Sequence, residues 1–420
     1  MSIRARVKAA CAAAVGLALL GVAGCSLPSP QPSSTRTFDG YPVLEPWTQA
    51  VRGAGDDAAN IVVLGDSVSE GSGIEDHLEN RWVGRLQRGL RERAGTPDCP
   101  TGAAGYHGTT SVVPADYRAS TLPDPRTTGE ITPLTEVGPG GRALQLGPGA
   151  SISWPVDARS VDLGYRTRPD GGTLRIEVDG VTPTPALAIP TGTRSPRPSA
   201  TEADGTQTRS TGERRVWSSE DLGPGRHTVT VTNASEAGSE APVTVTDLTP
   251  YRGDRDRCVH VLDASRSGVS ARVISQTPTY LADSLSLDPD LLLVPLGFND
   301  ALRGVGPAEF GRVLDSLIEQ TREQGYEGPV LLVGWFVPDW GGRAPAWSLY
   351  LDQMADRTDH EGVSFIDLSA VLPPVAFAPD GVYLDDLHPG PRGQVLIADS
   401  LLEALAPRSD LEGANAPRTP

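Results

Sequence analysis

Residues 61–71 read Ile-Val-Val-Leu-Gly-Asp-Ser-Val-Ser-Glu-Gly. A short β-branched run gives way at once to an acid, two serines and small residues, the pattern of a buried strand that ends in a turn. A hydroxyl at Ser67, just past the carboxyl end of a first strand, stands where open α/β sheets hold their ligands. Further apolar runs at 259–262, 291–296, 330–333 and 364–366 alternate with helical periodicity, which predicts a parallel sheet covered by helices. Trp82, Val83, Leu86 and Leu90 make one helical stripe; Phe310, Val313, Leu314, Leu317 and Ile318 make another behind Pro307, a favoured first-turn residue. Val395, Ala398, Leu402 and Leu405 form a last stripe, stopped by Pro407, and residues 407–420 are expected as a frayed tail.

Toward the N-terminus, Arg4, Arg6 and Lys8 precede an apolar run over residues 9–24, short for a membrane span of about 20 residues. Residues 1–24 therefore read as an export signal. Their end, Val22-Ala23-Gly24 followed by Cys25, resembles the lipobox of bacterial lipoproteins, which implies a lipidated Cys25 and attachment to the outer, extracytoplasmic face of the cell membrane. Residues 25–57, opening on a Pro/Ser-rich stretch, are expected as a solvated tether. The chain of 420 residues is 38% hydrophobic, enough for a substantial core in two or three units, and carries a net charge of −17. Such a surface repels phosphate backbones and excludes nucleic acid as a partner.

Between the first two strands of the sheet the chain changes character. Segments 151–154, 160–166, 173–178, 226–232 and 242–248 alternate polar and apolar residues between Gly/Pro turns, the signature of a β-sandwich. Residues 183–212, rich in Thr, Pro and Ser, read as a long loop within it. Cys99 and Cys258 flank this β-rich stretch. In an oxidising compartment they are expected to pair, closing a module separable from the chemistry on either side.

A serine hydroxyl needs a base within hydrogen-bond reach, usually an imidazole oriented by a carboxylate. Six histidines are available. His77 sits among acids, His227 in the β-rich stretch and His360 at the end of a polar helix, while His107 and His260 lie in no recognisable catalytic context. His388 differs: the stretch Leu384-Asp385-Asp386-Leu387-His388-Pro389-Gly390 places two acids just before it and a helix just after. On the residues alone either Asp385 or Asp386 could orient it. Acidic pairs such as Asp254 and Asp256 lack the histidines and spacing of a metal site, so no metal or other cofactor is expected.

Together these pieces resemble the SGNH hydrolases of the GDSL esterase/lipase family. The block I serine matches Ser67, the block V Asp-x-x-His matches Asp385 and His388, and the block III Gly-x-Asn-Asp matches Gly297-Phe298-Asn299-Asp300. Gly268 is the best match to the block II glycine. The resemblance implies a flavodoxin-like three-layer α/β fold over residues 58–98 and 258–406, while the β-sandwich inserted at 99–257, which it does not cover, resembles the carbohydrate-binding modules of some acetyl esterases. The family resemblance also implies a Ser67–His388–Asp385 triad and an oxyanion hole made by Ser67, Gly268 and Asn299. No Gly-x-Ser-x-Gly elbow occurs, against an α/β-hydrolase. Trp335, Trp340 and Trp347 cluster beyond a strand end, and Trp335 and Trp340 are expected to bind substrate as a pocket wall or sugar-stacking surface. The expected substrate is a carboxylic ester, an O-acetyl group on an envelope or extracellular glycan first among them, turned over by a monomer. A broad lipase or esterase, an O-acyltransferase on cell-wall sugars and an inactive glycan-binding lipoprotein are the alternatives.

Overall fold

The computed structural model describes residues 42–96, 99, 125–181, 188–192, 212–236 and 238–406. The signal segment, Cys25, His107, most of the 183–212 loop and the 407–420 tail lie outside the described residues. The tether expectation over 25–57 stops short of Pro42, because α1 (Glu45–Gly53) is a helix. Leu44, Trp47 and Val51, at helical spacing, are buried, and Trp47 Nε1 donates to the Leu405 carbonyl at 2.9 Å. Burial of one large aromatic outweighs the prolines and glycines around it.

The chain continues through β1 (Ala59–Val63), α2 (Ser67–Glu70), α3 (His77–Asn80) and α4 (Trp82–Ala94). Ten strands follow: β2 (Arg126–Thr128), β3 (Ile131–Thr135), β4 (Arg142–Leu146), β5 (Ser151–Asp157), β6 (Ser160–Arg166), β7 (Thr173–Val178), β8 (Ala188–Pro190), β9 (Arg214–Ser218), β10 (Arg226–Asn233) and β11 (Val243–Tyr251). It then returns in β12 (Val259–Asp263), α5 (Ala271–Ser275), α6 (Pro278–Leu285), β13 (Leu291–Val294), α7 (Phe298–Leu302) and α8 (Pro307–Glu323). The last elements are β14 (Val330–Gly334), α9 (Ser348–Ala355), β15 (Val363–Asp367) and α10 (Pro391–Leu405).

The five strands β12-β1-β13-β14-β15 form one parallel sheet in that order. Counted along the chain this is 2-1-3-4-5, the doubly wound order whose switch point lies between β1 and β13. Right-handed crossovers on either side of a switch point put helices on both faces; α4 packs with α10, and α5, α6, α8 and α9 pack with one another. Every residue of β12, β13 and β14 is buried, which is why β13 and β14 read as continuous apolar runs. In α10 the buried face is Ile397, Ala398, Leu401 and Leu405, with Val395 and Leu402 only half-buried. Gln394 on that face accepts the Trp82 N–H at 2.7 Å, turning the helix from the expected stripe.

The β-rich segment folds into two five-stranded antiparallel sheets, β2-β5-β10-β7-β8 and β3-β4-β11-β6-β9. Ile152, Trp154, Ile176 and Val231 of the first and Leu146, Leu163, Val245 and Leu248 of the second share one apolar core. β11 is buried on both faces: Thr244, Thr246 and Thr249 are covered on the side away from that core. Cys99 and Cys258, 159 residues apart, are joined by a disulfide with Cα atoms 5.6 Å apart. The segment is not joined at this neck alone, as a separable module would be. Arg166 of β6 pairs with Asp283 of α6, both buried, and the Gly138 N–H donates to Asp283 at 2.7 Å. The described residues from Pro42 to Ala406 accordingly form one compact unit.

Candidate active site

Asp66 begins α2, its carboxylate accepting the Val68 N–H at 3.0 Å, and this cap turns the chain sharply after β1 so that Ser67 stands half-buried at the sheet edge. His388 lies on the loop before α10. Its Nε2 is 2.9 Å from Ser67 Oγ, and its Nδ1 is 2.8 and 3.0 Å from the two Asp385 oxygens. Since Nδ1 must donate to a carboxylate, Nε2 is left to accept from the serine hydroxyl. Asp385 Oδ1 also accepts the N–H groups of Leu387 and His388, both at 2.8 Å. Burial raises the Asp385 pKa, but hydrogen bonds from His388 and these two amides outweigh it and hold the carboxyl below its usual range. Asp386 points elsewhere, pairing with Arg343 at 2.9 Å.

Asn299 lies at the start of α7 beyond β13. Its Nδ2 donates one hydrogen to the Val269 carbonyl at 2.9 Å, which leaves the second for another acceptor. Gly268 has a φ of +74°, in the left-handed region, and among the described residues no group accepts its N–H. Asp300, beside Asn299, accepts from the Ala271 and Arg272 amides at 2.9 and 3.1 Å, tying the start of α5 to the Asn299 turn. The ensemble is a hydroxyl with its base and oriented carboxylate, a set that can carry out nucleophilic attack on a carbonyl.

Residues 235–396 match the family model described as GDSL-like Lipase/Acylhydrolase family. Esterase TesA of Pseudomonas aeruginosa is 30% identical over 150 residues, 35% of this chain and 70% of that protein. This chain belongs to the GDSL-like lipase/acylhydrolase family. Membership makes it a hydrolase of ester bonds. The structure of a peptidoglycan O-acetylesterase superposes with a TM-score of 0.60 at 16% identity, covering 88% of this chain and 96% of that one, and so shares the fold. A family two carbohydrate esterase from Cellvibrio japonicus gives a TM-score of 0.29 at 12% identity over 69% of this chain and 98% of its own.

Three other histidines of this GDSL-like acylhydrolase, His227, His260 and His360, are engaged elsewhere. His260 is buried, with Nδ1 accepting from Arg91 at 3.0 Å and Nε2 donating to the Arg255 carbonyl at 3.1 Å. Burial and then the Arg91 charge push its pKa down to about 3, so it stays neutral. His227 pairs with Asp179 and His360 with Asp315. The expectation for Trp335 and Trp340 is corrected: they are 0% and 6% exposed and offer no face for a sugar. Trp335 packs edge-on against Trp82, while Trp340 and Trp347 join Phe298 in one cluster. Gly297 shows what this cluster does, since a Cβ there would stand 2.8 Å from the Trp347 ring. The indoles are the floor beneath the Asn299 turn. Among residues the sequence reading passed over, Asp300 carries a visible signal, standing next to Asn299 in the motif itself.

Proposed function

We propose that this protein is an exported serine esterase, anchored by lipid on Cys25, that hydrolyses O-acyl esters, O-acetyl foremost, on envelope or extracellular glycans. The observation that carries the chemistry is Ser67 Oγ at 2.9 Å from His388 Nε2, with Asp385 on the opposite ring nitrogen. In this reading Ser67 Oγ bonds to the ester carbonyl carbon as its proton passes to His388 Nε2. Asp385 stabilises the imidazolium, while the Ser67 and Gly268 amides and the free Asn299 N–H receive the oxyanion. Collapse breaks the bond to the alcohol oxygen, which leaves with the proton from His388. Water, deprotonated by the same nitrogen, then releases the acid from Ser67.

The glycan part of the reading draws support from the shared fold with a peptidoglycan O-acetylesterase and from the two-sheet segment, read as a carbohydrate-binding module. Export and anchoring rest on the sequence before residue 26. Ser67→Ala is expected to abolish release of p-nitrophenol from p-nitrophenyl acetate without loss of fold; retention of a tenth of parental turnover would show another nucleophile. Acetate release is expected from O-acetylated peptidoglycan or acetylated xylan. Turnover confined to long-chain esters would replace the glycan reading with a lipase. Mass spectrometry of the membrane fraction should find acyl chains on Cys25, and Cys25→Ala should lose them.

A further inference from the structure

Three residues after Ser67, Glu70 is wholly buried. Its Oε2 accepts the Ser267 N–H at 2.6 Å, and its Oε1 is 2.7 Å from Arg142 Nη1. Arg142, itself 7% exposed, is the first residue of β4 and belongs to the β-rich segment. One residue earlier on each side a second tie runs in parallel, from Arg266 Nη1 to the Gly141 carbonyl at 3.2 Å. Two consecutive residues of the loop leading into Gly268 are thus tied to two consecutive residues of the inserted segment, Arg266 directly and Ser267 through Glu70.

Side-chain packing does little to fix Gly268, which sits in a turn closed by the Val269 N–H donating to the Arg266 carbonyl at 3.0 Å. A Cβ built there would find its nearest neighbour, Arg303, 3.6 Å away. The direction of its N–H therefore depends on the hydrogen bonds of its chain neighbours. On one side the Asn299 amide holds the Val269 carbonyl; on the other the Glu70 carboxylate holds the Ser267 N–H. A charge-assisted bond of that kind is about twice as strong as a neutral one. A carboxylate stays ionised at such depth only beside a cation, because an isolated buried charge protonates or turns toward water.

We infer that Arg142 is a positioning residue for the oxyanion hole, acting through Glu70 and Ser267 on the Gly268 amide, so that the β-rich segment is a working part of the catalytic site. This rests on the reading of Ser67, Gly268 and Asn299 as the ester-hydrolysing site. Arg142 itself touches neither the triad nor the substrate carbonyl.

The test is steady-state hydrolysis of p-nitrophenyl acetate by the full-length mature protein. Arg142→Met should lower kcat about 10- to 100-fold, the cost of a catalytic group displaced by ~1 Å, with KM within about threefold. Arg142→Lys, which restores the cation, should recover most of the loss. Glu70→Gln keeps size and an acceptor but loses the charge, and decides the matter if the Arg142 variant does not fold. The double variant should be no slower than the slower single one, since both break one chain of contacts. Arg214→Met removes a buried ion pair with Asp247 inside the segment, away from the oxyanion loop, and should destabilise without changing kcat. An unchanged kcat in Arg142→Met, or a loss that Arg214→Met reproduces at equal stability, overturns the inference while a Ser67 still labelled by a fluorophosphonate leaves the underlying reading standing. Absence of that labelling removes the reading itself.

Discussion

Asn299 donates one amide hydrogen to the Val269 carbonyl, and in the proposed mechanism the other receives the oxyanion. Truncating it removes a donor that matters only when charge develops on the substrate oxygen. Asn299→Ala should therefore lose about 10²–10³ in kcat with a much smaller change in KM; a pure KM effect would place the side chain in substrate recognition instead. Asp66 supplies a prediction of another kind. Burial first, and then the nearby Asp300, push its pKa from 3.8 up to about 7. A carboxyl raised in the folded state contributes stability that is whole below pH 3.8 and is lost as pH rises through about 7. Asp66→Asn keeps an acceptor for the Val68 N–H and cannot ionise. Denaturant titrations should show the variant gaining on the parent between about pH 4 and 7 and holding that gain above it; parallel curves would mean that Asp66 does not titrate there. The Ser67, Asp385, His388 and Asn299 pattern is legible in the sequence because such chemistry accepts few side chains, with Ser67 and Asn299 beyond strand ends and Asp385 and His388 just before the last helix. Glu70 and Arg142 are not, because their partners come from distant parts of the chain. The tryptophans show a related limit: an aromatic cluster announces apolar surface without saying which side of a turn it covers.

At the scale of elements, the five parallel strands and the long helices α4, α8 and α10 could be read from periodicity, since burial on a fixed face imposes it. The same holds for β5, β6, β7, β10 and β11. β2, β3 and β9 escaped because they are short and largely exposed and show no clean alternation. Helix α1 escaped for the opposite reason, its Trp47 lying amid residues typical of a linker. If α1 is part of the folded body, Trp47→Ala should cost about 3–5 kcal/mol in a urea titration, the usual penalty for a large aromatic removed from a core. Turnover of the folded enzyme should be unchanged. A loss below 1 kcal/mol would return α1 to the tether.

For the whole molecule, the Cys99–Cys258 bond closes a loop of 159 residues, for which the chain-entropy model gives roughly 5 kcal/mol. The double replacement by serine should lower stability by up to that amount while kcat on a small ester changes little, since the ion pairs between the β-rich segment and the α/β body remain. A larger drop in kcat than in stability would mean that the bond also sets the site. The placement of β1 has a consequence in time. This strand lies inside the sheet, between β12 and β13, and Ala59 pairs with Val259 and Ile61 with Leu291. A chain made from its N-terminus presents β1 long before either neighbour exists, with both of its edges open. The β-rich strands pair largely among themselves and can condense while β1 waits. The delay makes the nascent protein most prone to aggregate before residue 291 has appeared, so a chaperone that holds the first strand has its greatest effect in that interval, and one arriving later finds nothing left to protect.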